Sequence, residues 1–207
     1  MAASNDPLDG LPNRLVLNGA LKQAIDARNT IAVALLDIDS FAEINADFGQ
    51  AAGDRVLRVL VALLKEAAPA SVYHLSGDEF AIVLPGLSLE QAFLRMEALR
   101  ATVEASERFD LPDQRNVMIT IGVAQYPRDA KDARSLLQAA DAALATAKES
   151  GRNQVALPPN EEMVMKSCYY PASSMRKLRA LAERLGRKDS PLLREALDDL
   201  LRKYDVP

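Results

Sequence analysis

Four carboxylates stand in two short runs of this sequence. Asp37 and Asp39 close the apolar run Ile31–Leu36, and Asp78 and Glu79 sit in Ser76-Gly77-Asp78-Glu79, between two further apolar segments. Carboxylates gathered at one place repel one another, so they share a site only where a cation offsets the charge or a proton neutralises one of them. The chain has one histidine, His74, and one cysteine, Cys168, too few nitrogen and sulfur ligands for a zinc site. A hard, oxygen-ligated divalent cation, magnesium or manganese, suits the carboxylates instead, and such ions bridge phosphate oxygens. Lys148 and Arg152, one helical turn apart at a predicted helix end, supply a point charge and a planar fork for phosphate. Taken singly, Asp39 and Glu79 read as solvated turn residues, and Lys148 as a cation suited to its helix C-terminus. The set together points to a nucleotide phosphate site.

The flanking patterns show what must position these groups. Residues 14–29 read as an amphipathic helix, and the β-branched run from Ile31 to Leu36 as a buried central strand whose carboxyl end carries Asp37 and Asp39. Ligands of open α/β sheets gather at that edge. Ser40 is predicted to cap a short helix, Gly49 to Gly53 to turn the chain, and Asp54 to start a long helix carrying Val56, Leu57, Leu60, Val61 and Leu64. Val72–Leu75 and Phe80–Leu84 form a hairpin with Gly77 in its tip. If that hairpin pairs beside the first strand, Asp37, Asp78 and Glu79 converge. Ser88 then caps a helix to about residue 107, Val117–Ala124 alternates as a strand, a helix runs from Asp132 to Lys148, and Gln154–Leu157 gives a last short strand. Strands alternating with helices predict an α/β or α+β layered sheet with helices on its faces.

The 207 residues suffice for one full domain and a small second module. Pro158-Pro159-Asn160-Glu161-Glu162 is the clearest linker, giving an expected first domain over 1–157, a linker over 158–162 and a second module over 163–207. The last 47 residues hold 10 Lys+Arg against 8 Asp+Glu, leaving 15 against 21 of the chain's 25 and 29 for residues 1–160. A mildly basic tail permits nucleic-acid contact without requiring it. No apolar run is long enough to span a bilayer, the first residues do not read as a secretory signal, and a single cysteine suits a reducing compartment. The expected location is the cytoplasm, with no membrane partner.

At five places the chain resembles one family. Asp6–Arg14, DPLDGLPNR, is similar to the opening motif of GGDEF-family diguanylate cyclases, and DIDSFAEINADFGQAAGD at 37–54 to their first metal and base segment. SGDEF at 76–80 resembles the signature itself, TIGVAQYP at 120–127 a later strand, and AKESGRN at 147–153 the closing motif. The resemblance covers about residues 5–157. It implies a palm-like domain with a central five-stranded, mainly antiparallel sheet flanked by helices. It implies metal ligation by Asp37, the Ile38 carbonyl and Asp78, with Glu79 a further ligand or an aid to deprotonating the attacking hydroxyl. Asn45 and Asp54 would read the guanine edge, Phe41, Ser76 and Gly77 would contact substrate, and Lys148 and Arg152 would bind phosphates. The implied reaction joins two GTP molecules into cyclic di-GMP across a homodimer.

Several positions depart from the family pattern. Ser76 replaces the first signature glycine, Ala42 a common phosphate-binding lysine, His74 an arginine ahead of the signature, and Asp9 a threonine. The inhibitory product motif falls at Ala67-Ala68-Pro69-Ala70 and is absent. These departures keep open an alternative, a degenerate domain that senses GTP or cyclic di-GMP.

The tail resembles the ribbon-helix-helix family, with a strand at 162–171, a helix from Ser173 or Ser174 to Leu185, and a second from Ser190 to Tyr204 with Pro191 at its first helical position. That resemblance implies dimerisation and DNA contact through Met165, Ser167, Tyr169 and the helix start at Ser190. A helical dimerisation appendage that never touches DNA is the competing reading.

Overall fold

A computed structural model describes residues 8, 10–68, 71–158, 170–186 and 189–204. Asp6 and Asp9 lie outside the described residues, as do residues 162–169 of the predicted tail strand with Met165, Ser167 and Tyr169. Tyr170 and Pro171, its expected end, are not strand but lead into a helix, and the side chain of Ser190 is also outside the described residues. The chain divides into two compact units, residues 1–160 and 161–207.

The first unit is built on one strand. β1 (Ile31–Ile38) is apolar along nearly its whole length because both of its faces are covered, so it reads as a continuous run instead of an alternating one. It pairs antiparallel on both sides, with β3 (Glu79–Pro85) and with β4 (Ile119–Tyr126). β2 (Val72–Ser76) joins β3 antiparallel and β5 (Val155–Ala156) joins β4 in parallel, giving the order β2-β3-β1-β4-β5. This is the five-stranded, mainly antiparallel sheet that the family resemblance implied.

Alternate residues of β1 enter two cores. Ala32, Ala34, Leu36 and Ile38 pack toward α3 (Gln50–Ala67) and α4 (Leu89–Glu104). Ile31, Val33 and Leu35 pack toward α1 (Arg14–Asp26) and α5 (Ala133–Glu149). The sheet is thus the middle of three layers. Helix starts are fixed locally: Asn13 Oδ1 accepts from the N–H groups of Leu15 and Val16, and Ser88 with Gln91 forms a reciprocal capping box at α4. On β4, Gly122 lets α5 approach so closely that a Cβ there would lie 2.2 Å from the Ala140 carbonyl oxygen.

Two local expectations fail. Ser40 makes no side-chain cap for α2 (Phe41–Phe48); it takes a left-handed conformation, φ 55°, and its carbonyl accepts from Glu43 and Ile44 instead. The Gly49–Gly53 turn is also shorter than expected: Gly49 alone turns, α3 already begins at Gln50, and Gly53 is buried inside it. Glycine spacing reads as a turn in sequence, but Gly53 serves a packing contact in space.

In the second unit α6 (Ala172–Leu185) ends at Gly186, which has φ 62°, the left-handed conformation a helix-ending glycine supplies. α7 (Asp189–Lys203) packs against it. Ala182 and Leu192 are buried, while Leu185, Leu197 and Leu200 remain exposed. Among the described residues no helix is long and apolar enough to cross a membrane.

Candidate functional site

The carboxyl end of β1 meets the β2–β3 turn. The antiparallel register sets Asp37 directly opposite Glu79 on one side and Thr120 on the other, which brings their side chains to the α1/α5 face of the sheet. Gly77 and Asp78 form the two-residue turn between β2 and β3, with Gly77 at φ 47°, a backbone angle glycine adopts without strain. The expected convergence of the two acidic runs follows from this register.

The charges at the end of the sheet are coupled. Burial, and next the neighbouring Asp37 carboxylate, push the Asp78 carboxyl above the ordinary aspartate range, while Lys148 opposes the rise and Glu79 adds to it. Lys148 reaches from the last turn of α5 to place Nζ 2.9 Å from Asp37 Oδ2, with both side chains partly buried. Glu79, on the same face, has other partners. Its Oε2 accepts from Ser76 Oγ at 2.8 Å and lies 3.8 Å from Arg14 Nη2. The His74 ring lies 3.2 Å from the Gly77 carbonyl oxygen through Nε2 and leans on Phe80, holding the turn from its outer side.

The fit to a divalent cation rests on Asp37 and Asp78. Their oxygens are hard donors, and their mutual repulsion is what a cation between them would relieve. Among the described residues no group of three or more acidic, His or Cys side chains is arranged to hold a metal, and Glu79 is engaged by Ser76 and Arg14. Ile38 closes β1 next to Asp37 with its side chain buried in the core.

The other expected site residues divide between two places. Asn45 on α2 is half-buried against Gly53 of α3; a Cβ at Gly53 would stand 2.0 Å from Asn45 Oδ1, so the glycine creates the seat for the amide. Asp54 is the next residue along α3 and is exposed, and Phe41, at the start of α2, packs against the α3/α4 core. Arg115 secures α2 from outside, pairing with Asp47 at 2.7 Å and lying 4.9 Å over the Phe48 ring. The helix that carries Lys148 ends close to the expected place, at Glu149, and Arg152 follows outside it in a left-handed conformation with φ 62°. Gly151, at φ 113°, turns the chain between the two residues.

Three residues near the site were not singled out as acting together. Asp39 is 7% exposed and Thr120 fully buried, and both bond to Asn153, so Asp39 is no solvated turn residue. Thr120 and Asn153 lay within quoted motif segments, but nothing local links them to Asp39.

The family model described as "Diguanylate cyclase, GGDEF domain" matches residues 3–154. The chain is 33% identical over 159 residues to diguanylate cyclase DgcP of Pseudomonas aeruginosa, covering 74% of this chain and 24% of that protein. The solved GGDEF domain of TpbB (YfiN) from Pseudomonas aeruginosa is 35% identical, with a TM-score of 0.67 over 72% of this chain and 98% of that one. The GGDEF domain of DgcB from Caulobacter crescentus, solved in complex with c-di-GMP, is 27% identical, with a TM-score of 0.64 over 75% and 96% of the two chains. The matched stretches span less than half the length of curated relatives such as DgcP and the diguanylate cyclase A of Treponema denticola.

Proposed function

The chain belongs to the GGDEF diguanylate cyclase domain family, and from that membership we propose that it condenses two GTP molecules into cyclic di-GMP. The observation that carries the reading is the meeting of the β1 end with the β2–β3 turn, where Asp37, paired with Lys148, and Asp78 share one partly buried site, and where burial first and the Asp37 charge second raise the Asp78 pKa. A fold keeps such a repulsive pair where a divalent cation is to be bound.

In this reading Asp37 and Asp78, with the Ile38 carbonyl, would hold magnesium or manganese, and the ion would supply charge neutralisation for the phosphates. Asn45 and Asp54 bind the guanine edge, Phe41, Ser76 and Gly77 line the nucleotide, and Lys148 and Arg152 hold phosphate oxygens. Glu79 accepts the proton of the ribose 3′-hydroxyl. The hydroxyl oxygen forms a bond to the α-phosphorus of the opposing GTP, the bond from that phosphorus to the bridging oxygen breaks, and pyrophosphate leaves. The same exchange in the other direction closes the ring. One domain presents one GTP, so two domains must face each other. The second unit, with its exposed Leu185, Leu197 and Leu200, supplies a pairing surface of the ribbon-helix-helix kind, and Met165, Ser167, Tyr169 and Ser190 are its candidate DNA contacts.

Incubating the purified chain with GTP and magnesium or manganese, and resolving the products by chromatography beside Asp78→Ala, tests the reaction. Cyclic di-GMP from the unmodified chain alone is expected. Nucleotide bound without product supports the second reading, a GTP or cyclic di-GMP sensor acting through the tail. That reading is favoured by the Ser76–Glu79 hydrogen bond, which occupies the proton acceptor, and by the missing cation at Ala42.

A further inference from the structure

Asp39 lies two residues beyond Asp37, yet both of its oxygens face inward and carry donors. Oδ1 accepts from Thr120 Oγ1 at 2.6 Å, and Oδ2 accepts from the Asn153 backbone N–H at 3.0 Å. The same N–H lies 3.0 Å from Thr120 Oγ1, so one donor is shared between the two side chains. Asn153 carries the network outward. Its Nδ2 donates to Glu104 Oε1 at 2.8 Å, and its Oδ1 accepts from Arg100 Nη1 at 2.9 Å. Arg100 also pairs with Glu97 and Glu104, and Glu97 Oε1 accepts from the Val155 N–H at 3.1 Å. A continuous path of hydrogen bonds thus joins the end of β1, through the segment between α5 and β5, to α4.

That segment needs external support. Gly151, Arg152 and Asn153 all have positive φ, at 113°, 62° and 44°, and two of the three carry side chains. Residues held in this region persist where their surroundings over-determine them. Asp39 and Thr120 grip the backbone one residue past Arg152, while the Arg152 N–H returns to the Ala147 carbonyl beside Lys148.

We propose, on the cyclase reading above, that Asp39 is a positioning residue and not a metal ligand. With Thr120 it fixes the Asn153 N–H, and so orients the Lys148–Arg152 segment toward the triphosphate. Its burial and its two donors leave it little to offer a cation, unlike Asp37, whose oxygen is met by a lysine that a cation can replace.

The test uses the full chain with Asp39→Asn, Thr120→Val and Thr120→Ser. Amide hydrogen exchange over residues 151–154 is followed without nucleotide, and GTP and guanosine binding are titrated by calorimetry with magnesium. Asp39→Asn and Thr120→Val should speed exchange in this segment and weaken GTP by up to about tenfold, the most that one net hydrogen bond usually contributes. Guanosine affinity and the magnesium concentration for half-saturation should stay unchanged, and Thr120→Ser, which keeps the hydroxyl, should behave as the unmodified chain. Unchanged exchange at 151–154 would overturn the proposal. So would equal losses for guanosine and GTP, or a raised magnesium requirement with GTP affinity restored at saturating metal. If the unmodified chain binds no GTP, the cyclase reading and the phosphate role both fall, and the exchange result alone decides whether Asp39 holds the segment.

Discussion

Lys148 Nζ lies 2.9 Å from Asp37 Oδ2, so the end of α5 supplies a cation to the end of β1. On the cyclase reading the lysine would exchange this carboxylate for a phosphate once metal and nucleotide bind. Lys148→Met is expected to move two affinities in opposite directions. GTP binding should weaken by about tenfold through the lost charge-assisted contact. The magnesium concentration for half-saturation should fall, because the competitor for Asp37 is gone. Magnesium titrations of GTP binding at pH 8 read both; a parallel rise in both constants would sink the competition.

Asp78 carries a stability cost at neutral pH. Its folded pKa is raised, by burial first and Asp37 second, so the folded state holds the proton more tightly than the unfolded chain does. The contribution is favourable below the unfolded aspartate pKa and is lost as pH rises through the folded value. Asp78→Asn, similar in shape and uncharged, should therefore melt higher than the unmodified chain at pH 7 without metal, while losing synthesis of cyclic di-GMP. The gap should close below about pH 4, where aspartate is protonated in both states. Thermal melts across pH 3–8 in chelator check this, and a lower melting temperature at pH 7 would contradict it.

Ser76 engages Glu79 through a hydrogen bond of 2.8 Å that glycine, the family residue, cannot make. Ser76→Gly is expected to release Glu79 and raise turnover by about two- to tenfold, the range one net hydrogen bond spans. Steady-state rates of pyrophosphate release measure it. Turnover that stays level or falls would show that the serine does not restrain Glu79.

Gly53→Ala separates binding from folding. Alanine favours a helix interior by up to about 1 kcal/mol over glycine, but its Cβ would stand 2.0 Å from Asn45 Oδ1 and turn that amide away. GTP affinity should drop by roughly tenfold, with discrimination against ATP reduced and the melting temperature held or raised. Unchanged discrimination between GTP and ATP would remove Asn45 from the base contact.

Much of the unit over residues 1–160 was legible because its signals are local. The apolar run Ile31–Leu36, the capping residues Asn13 and Ser88, and Gly77 between two apolar segments each act within a few residues of themselves. The two misread starts differ: at Gly53 the packing of α2 against α3 overrode the usual reading of a glycine as a turn, while Ser40 takes a left-handed conformation in place of a side-chain cap.

By itself the sequence determined the strands and helices, the family and the two acidic runs, since period, caps and motif spacing are properties of neighbouring residues. Only the tertiary structure decided which acids meet. Register across β1, β3 and β4 set Asp37 beside Glu79 and Thr120, burial distinguished Asp39 from Asp37, and Asn153 reached Asp39 from 114 residues away. Those relationships depend on how strands pair and on which side chains water can reach, and neither quantity is written in the spacing along the chain.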